Sequence, residues 1–282
     1  MKTLLEIVNL SNEFLQKKGI QNPRREAQNL ISDILKIRPL DLYMQFDRPL
    51  NDTELDRCRQ SIQRRSKGEP SQYIRGEVEF YNCFLDINPN VLIPRQETEI
   101  LADMIAKQLD KEGTQGKSLW DVCCGSGCIG IALKKKFPEL NVVLSDISEK
   151  ALDVARQNAK RNEVEVEFRH GDLLHPFSGQ KTHFFVCNPP YISEEEFAGL
   201  DIEVRDYEPK TALVAGEQGL AFYKRLASEI EGILEPGAKV WLEIGHQQGE
   251  AVFEIFKGVK CKKSEIRQDW SGKDRFFFLE IE

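Results

Sequence analysis

Apolar residues recur at helical spacing through the first 75 residues, and the period then changes. In the opening MKTLLEIVNLSNEF the apolar stretch is broken by Glu6, Asn9 and Asn12 and no small-residue cleavage site follows, which predicts a folded helix in a cytoplasmic protein. In NPRREAQNLISDIL, Ala27, Leu30, Ile31, Ile34 and Leu35 make one apolar stripe, with Asn22 placed to cap and Pro23 at the first helical position. A further helix is expected from about residue 52, with Leu55, Cys58 and Ile62 on one face and Gly68 closing it. Residues 1–75 therefore read as a small helical domain.

From Glu77 the segment GEVEFYNCFLDINPNVLIP alternates apolar and polar residues around Asn82 and ends at the Asn88-Pro89-Asn90 turn. This predicts a β-hairpin linker over 76–94. A catalytic domain is expected over 95–282, opening with a helix at 96–109 and a loop at 110–116. Strands follow at 118–124, 141–146, 164–170, 183–187, 239–244, 261–268 and 275–281, mostly separated by helices. That alternation implies an α/β fold, a mostly parallel sheet with helices on both faces. The last two strands have only the turn at 270–273 between them, which predicts an antiparallel hairpin at the sheet edge.

Composition narrows the classes. No apolar run approaches the roughly 20 residues of a membrane span, so no membrane segment is expected. Cys58, Cys83, Cys123, Cys124, Cys128, Cys187 and Cys261 are irregularly spaced and odd in number, which argues against a disulfide framework. Cys123, Cys124 and Cys128 lack a second pair at ligand spacing, so no metal is expected. The net charge of −7 opposes duplex nucleic acid as a partner. The run Arg57, Arg59, Arg64, Arg65 and Lys67 reads either as a local basic patch or as the solvated side of a helix.

Candidate chemistry lies at strand ends. WDVCCGSGCIGIALKKKF runs from a strand through a glycine-rich turn into a helix, and Gly125 and Gly127 permit a tight turn and close approach of a ligand. Residues 125–130 also satisfy G-x-G-x-x-G, which suits a nicotinamide-dependent dehydrogenase equally well. Asp146, ending the next strand, can accept hydrogen bonds from both ribose hydroxyls. Asp172 and Leu173 place an acidic acceptor and an apolar wall on the same rim, suited to an adenine; a turn aspartate is the plainer reading.

Asn188-Pro189-Pro190-Tyr191 then ends an apolar strand beside that crevice. An amide or aniline-like nitrogen has a delocalised lone pair and needs orientation more than a strong base. The Asn188 side-chain oxygen and the Pro189 carbonyl can each accept one of its N–H bonds. Prolines stiffen the backbone, and Tyr191 can lie against the flat face of the substrate.

With these residues in place, the chain resembles the Rossmann-like methyltransferases acting on exocyclic or amide nitrogens. More widely it resembles the protein-(glutamine-N5) methyltransferases of peptide chain release factors, the HemK or PrmC family. The resemblance spans 68–81, 90–101, 121–130, 188–192, 207–220 (YEPKTALVAGEQGL) and 242–249 (LEIGHQQG). It implies a seven-stranded S-adenosylmethionine-dependent methyltransferase sheet preceded by the helical domain, with S-adenosylhomocysteine as product.

It places the cofactor at Cys123, Cys124, Gly125, Ser126, Gly127, Asp146, Asp172, Leu173 and Asn188, and the substrate amide at Asn188, Pro189, Pro190 and Tyr191. Arg95, Glu97 and Glu99 help wall the glutamine pocket by resemblance, or form an acid-rich helix N-terminus. The implied partner is a class-I release factor, methylated on the glutamine of its Gly-Gly-Gln tripeptide by a monomeric enzyme. The family commonly has glycine where Cys123 stands and proline where Gln96 stands. Neither Glu208-Pro209 nor His246 yields a role from residue type. Three alternatives remain: a nucleic-acid amine methyltransferase, the dehydrogenase, and a helical interaction module on an inactive nucleotide fold.

Overall fold

The computed structural model describes residues 2–282, and the chain divides into two compact units. One runs through Gly76 and resumes at Asp201–Tyr207; the other comprises Glu77–Leu200 and Glu208–Glu282. Met1, where the first expected helix opens, lies outside the described residues.

The helical unit contains α1 (Leu4–Lys17), α2 (Pro23–Leu35), α3 (Asp52–Arg65) and α4 (Ser71–Arg75). Thr3 and Asn51 start α1 and α3 through capping boxes with Glu6 and Glu54, which satisfy N–H groups the helix leaves open. Asn22 departs from its expected role. It stands at φ 48° with no side-chain capping bond, and Pro23 opens α2 because a residue without an N–H needs no partner there. The stripes bury in two clusters, one around Leu4, Val8, Ile31 and Cys58, the other around Leu15, Ala27, Leu30 and Ile62.

Residues 201–207, expected in the catalytic domain, belong instead to this unit. Arg65, 4% exposed, pairs with Glu26 at 2.6 Å and also with Glu203, while the Tyr207 hydroxyl donates to the Lys67 carbonyl at 2.9 Å. A buried guanidinium needs that second carboxylate, and a seven-residue segment carries no periodicity that announces it.

The second unit contains β1 (Glu77–Phe80), β2 (Cys83–Asp86), α5 (Gln96–Glu112), β3 (Ser118–Val122), α6 (Cys128–Lys136), β4 (Asn141–Asp146) and α7 (Glu149–Arg161). It continues with β5 (Glu167–His170), β6 (Thr182–Cys187), α8 (Ala221–Glu229), β7 (Leu234–Glu243), α9 (Gly249–Ile255), β8 (Cys261–Gln268) and β9 (Asp274–Ile281). Tyr81 and Asn82, at φ 43° and 61°, supply the two left-handed positions of a tight turn between β1 and β2. The hairpin is no linker. Asn158 of α7 accepts the Asp86 N–H at 2.6 Å and donates to the Asp86 carbonyl at 3.0 Å, and Asn162 donates to the Phe84 carbonyl at 2.8 Å.

Seven strands form one sheet in the order β5-β4-β3-β6-β7-β9-β8, parallel except that β9 runs against both neighbours. The expected terminal hairpin thus lies at the edge. The strand expected at 164–170 shortens to β5, an edge strand that pairs with β4 over four positions. The one expected from 239 begins at Leu234, which pairs with Thr182 across a register shift. Strand order reverses between β3 and β6, so their carboxyl ends diverge into a crevice, the general ligand position of such sheets. Among the described residues no helix is long and apolar enough to cross a membrane.

Candidate active site

The crevice holds a cavity of about 240 Å³ lined from the ends of β3, β4, β5 and β6. Of the residues singled out in the sequence, Cys123, Cys124, Gly125, Ser126, Asp146, Asp172, Leu173, Asn188 and Pro190 line it. The glycine turn is held from both sides. The Cys124 N–H donates to the Ser145 carbonyl at 2.9 Å, and the Gly125 N–H donates to Asp146 Oδ2 at 2.9 Å, while Asp146 Oδ1 accepts the Ser148 N–H at 2.9 Å. A Cβ on Gly125 would meet nothing within 4 Å, so the space above it is open, whereas one on Gly130 would lie 2.3 Å from Leu144 Cδ2. Glycine at 130 lets α6 settle onto β4; glycine at 125 leaves room for a ligand. Gly127, at φ 77°, starts α6 behind the cavity and does not line it. Cys123 adopts φ 58°, a left-handed conformation that ordinarily favours glycine.

Two carboxyl groups face this cavity, the buried Asp121 and the half-buried Asp146. Burial pushes Asp121 up to about 7, with the negative Asp146 adding to the rise and the Gly130 N–H, 2.9 Å from Oδ2, opposing it. Asp146 is also raised by burial, against the N–H bonds it accepts. Neighbouring carboxylates in a half-enclosed cavity create a negative field that suits a cationic ligand. Asp121 carries no motif of its own; its signal in the sequence is an acid between Trp120 and Val122 in an expected central strand. Asp172 is not a free acceptor, because Arg225 forks onto it at 2.9 and 3.1 Å.

The tetrapeptide divides between two cavities. Asn188 and Pro190 line the first, Pro189 is buried, and Tyr191 lines a neighbouring cavity of about 200 Å³ with Gln248 and Arg275. Behind it stands Glu243, 2% exposed, whose carboxylate accepts the Thr98 hydroxyl at 2.7 Å and the Tyr191 hydroxyl at 3.4 Å. Thr98 Oγ1 accepts the Asn188 side-chain N–H at 3.4 Å.

Arg95, Glu97 and Glu99 do not line the main cavity. Glu99 accepts the Tyr81 N–H at 2.8 Å and so anchors the hairpin turn. Arg95 pairs with Glu208, which also accepts the Ile93 N–H at 3.2 Å, giving Glu208 the bracing role its residue type did not reveal. Glu97 is half-buried, and its charge contributes to raising Glu243.

Comparison with known proteins adds a second line. Residues 6–76 match the family model of the PrmC N-terminal domain and residues 94–202 that of the methyltransferase small domain. The release factor glutamine methyltransferase of Chlamydia trachomatis serovar L2 is 44% identical over 274 residues, 96% of this chain and 91% of its own. That of Geobacter sulfurreducens is 36% identical over 97% of this chain and 95% of its own. A solved methyltransferase from Pyrococcus furiosus, 17% identical with a TM-score of 0.51, covers 70% of this chain and 88% of its own, a likeness of fold.

Proposed function

The chain belongs to the release factor glutamine methyltransferase family, and from that premise we propose that it transfers a methyl group from S-adenosylmethionine to the side-chain nitrogen (N5) of a glutamine, the one in the Gly-Gly-Gln tripeptide of a class-I peptide chain release factor. The observation carrying this reading is that Asn188 stands on the wall of the same cavity as the glycine turn and Asp146.

The residues present fit the cofactor. The open space over Gly125 admits a ligand against the backbone, Asp146 offers remaining lone pairs to ribose hydroxyls, Leu173 supplies an apolar wall, and Asp121 and Asp146 complement positive charge. When bound, S-adenosylmethionine supplies an activated methyl group on a positively charged sulfur. The protein's part is orientation. Asn188 Oδ1 and the Pro189 carbonyl accept the two N–H bonds of the glutamine amide, which aims the nitrogen's remaining direction into the cavity, and the surplus proton leaves to solvent after transfer. Two glycines before the target let a bare backbone enter a narrow crevice, and a glutamine side chain spans the depth that asparagine, one methylene shorter, leaves open. In this reading the helical unit grips the body of the factor, and the enzyme works as a monomer in the cytoplasm without stable nucleic-acid contact.

The test is methyl transfer from labelled S-adenosylmethionine to four substrates: a class-I factor, its glutamine-to-asparagine variant, a Gly-Gly-Gln peptide and duplex DNA. We expect the factor to be labelled, the asparagine variant to fall by about a hundredfold, since misplacement near 1 Å costs that much, and the peptide to react poorly for want of the factor's body. Labelled DNA beside an unlabelled factor would overturn the assignment. Equal labelling of peptide and factor would remove the gripping role of the helical unit.

A further inference from the structure

The orientation of Asn188 needs its own cause. A side-chain amide presents an acceptor on one side and two donors on the other, and only the acceptor can hold an incoming N–H. Turned over, Asn188 would meet the substrate NH2 donor to donor. Nothing in the tetrapeptide itself selects between the two orientations.

The buried groups behind it do. Thr98 is 3% exposed and Glu243 2% exposed, and a carboxyl group placed so deep in a sheet packs no better than an apolar side chain would. An ionised carboxylate only accepts hydrogen bonds. The single Thr98 proton is therefore committed to Glu243, over 2.7 Å, and Thr98 Oγ1 has only lone pairs left for its other neighbour. That neighbour is Asn188, which must meet it with Nδ2, as it does at 3.4 Å, and so turns Oδ1 away. Contacts of this length in a ligand-free site shorten when substrate is held.

We propose that Glu243, acting through the Thr98 hydroxyl, is the positioning residue that fixes the Asn188 amide with its oxygen toward the substrate N–H. The inference rests on the methyl-transfer reading above and deepens it. Tyr191, whose hydroxyl also donates to Glu243, is held by the same carboxylate, so one buried charge orders both ends of the tetrapeptide.

The relay has a direction only while Glu243 is ionised. Burial raises its carboxyl to about 7, Glu97 on α5 adds to the rise, and Thr98, Arg275 on β9 and Tyr191 oppose it; Tyr223 on α8 and Cys128 on α6 also face it. A protonated Glu243 can donate to Thr98, which frees the threonine proton to point at Asn188 and removes the selection. Turnover therefore rises with pH through this midpoint.

The experiment compares the full-length wild type with Thr98→Val, Thr98→Ser and Glu243→Gln. It measures methylation of a release factor at saturating S-adenosylmethionine, cofactor binding by calorimetry, and the Asn188 side-chain amide signals by 15N NMR without substrate. Thr98→Val should lower kcat at least about tenfold with KM and cofactor Kd within about threefold, as for an interaction made only in the transition state. Thr98→Ser keeps the hydroxyl and should recover kcat to within about threefold. In the wild type the Asn188 signals should shift with pH through the midpoint that governs kcat, and in Glu243→Gln both dependences should flatten. A wild-type kcat in Thr98→Val, or Asn188 signals indifferent to pH in the folded wild type, overturns the proposal. Titrating Asn188 signals in an enzyme that leaves the factor unmethylated would support the relay and refute the substrate assignment instead.

Discussion

At the scale of single residues, the proposed function assigns binding to one position on the cavity wall and turnover to another. Asp146 already accepts two backbone N–H bonds, from Gly125 and Ser148, and a carboxylate has lone pairs beyond those to offer a ribose. Hydrogen bonds to a charged group contribute roughly 1.5–3 kcal/mol each, so Asp146→Ala is expected to weaken S-adenosylmethionine binding at least about tenfold. Asn188→Ala removes the acceptor that the proposed reaction uses and should lower kcat by about 10² to 10³ with cofactor affinity kept. Calorimetry and steady-state rates on both variants give the check, and loss of cofactor binding in Asn188→Ala with full turnover in Asp146→Ala would reverse the roles. That both line one crevice was legible because each stands at the carboxyl end of an apolar strand. Thr98 and Glu243 were not: both lie in segments that carry the family resemblance, but they meet across 145 positions of chain, and neither segment announces the other as its partner. Arg225 likewise reaches Asp172 from another element, so a sequence reading saw the acid without its cation.

At the scale of elements, periodicity conveyed which segments are strands and helices but not what each packs on. The β1-β2 hairpin shows the difference, since alternation identified it while its attachment draws on Asn158 of α7 and on Asn162 just past the end of that helix, which read as ordinary polar residues. Asn158 is fully buried, and besides both backbone groups of Asp86 it donates to the Ser126 carbonyl at 3.0 Å. One side chain thus joins the hairpin to the glycine-rich turn. Asn158→Ala strands the groups it satisfied, and at about 1–3 kcal/mol for an unsatisfied buried polar group the loss should reach about 2–4 kcal/mol in urea unfolding. The same variant should weaken cofactor binding severalfold, because the Ser126 carbonyl loses its anchor. Weakened stability with unchanged cofactor affinity would mean that the turn is held without Asn158. The shortened β5 and lengthened β7 have the same origin: partner strands set where pairing starts and stops, and the apolar pattern of one strand carries no record of its neighbour's length.

At the scale of the whole molecule, the two-part division was visible as a change of period near Glu77, but the return of 201–207 to the helical unit was not, because it depends on one buried arginine seeking a second carboxylate. The catalytic unit also carries a global cost that only burial reveals. Asp121 and Glu243 are raised from ordinary carboxyl values of 3.8 and 4.5 to about 7 each, in both cases chiefly by burial. A group whose folded pKa lies above its unfolded one binds protons more tightly in the folded state. Its contribution to stability is therefore complete below the unfolded value and declines as pH rises through the folded one. The net charge of −7 acts in the same direction, since further deprotonation adds to self-repulsion in the compact state. The ligand-free protein should accordingly melt at a lower temperature at pH 8 than at pH 6, by several degrees given that about 1 kcal/mol corresponds to some 2–4 °C in a protein of this size. Asp121→Asn and Glu243→Gln keep the shape and an acceptor oxygen but lose the charge, so each should raise the melting temperature at pH 8 more than at pH 6. Differential scanning calorimetry of the three proteins at both pH values decides it. A wild-type melting temperature that is flat or rises between pH 6 and 8, or variants that gain equally at both, would show that these carboxyl groups stay ionised in the fold, held by partners stronger than those the structure gives them.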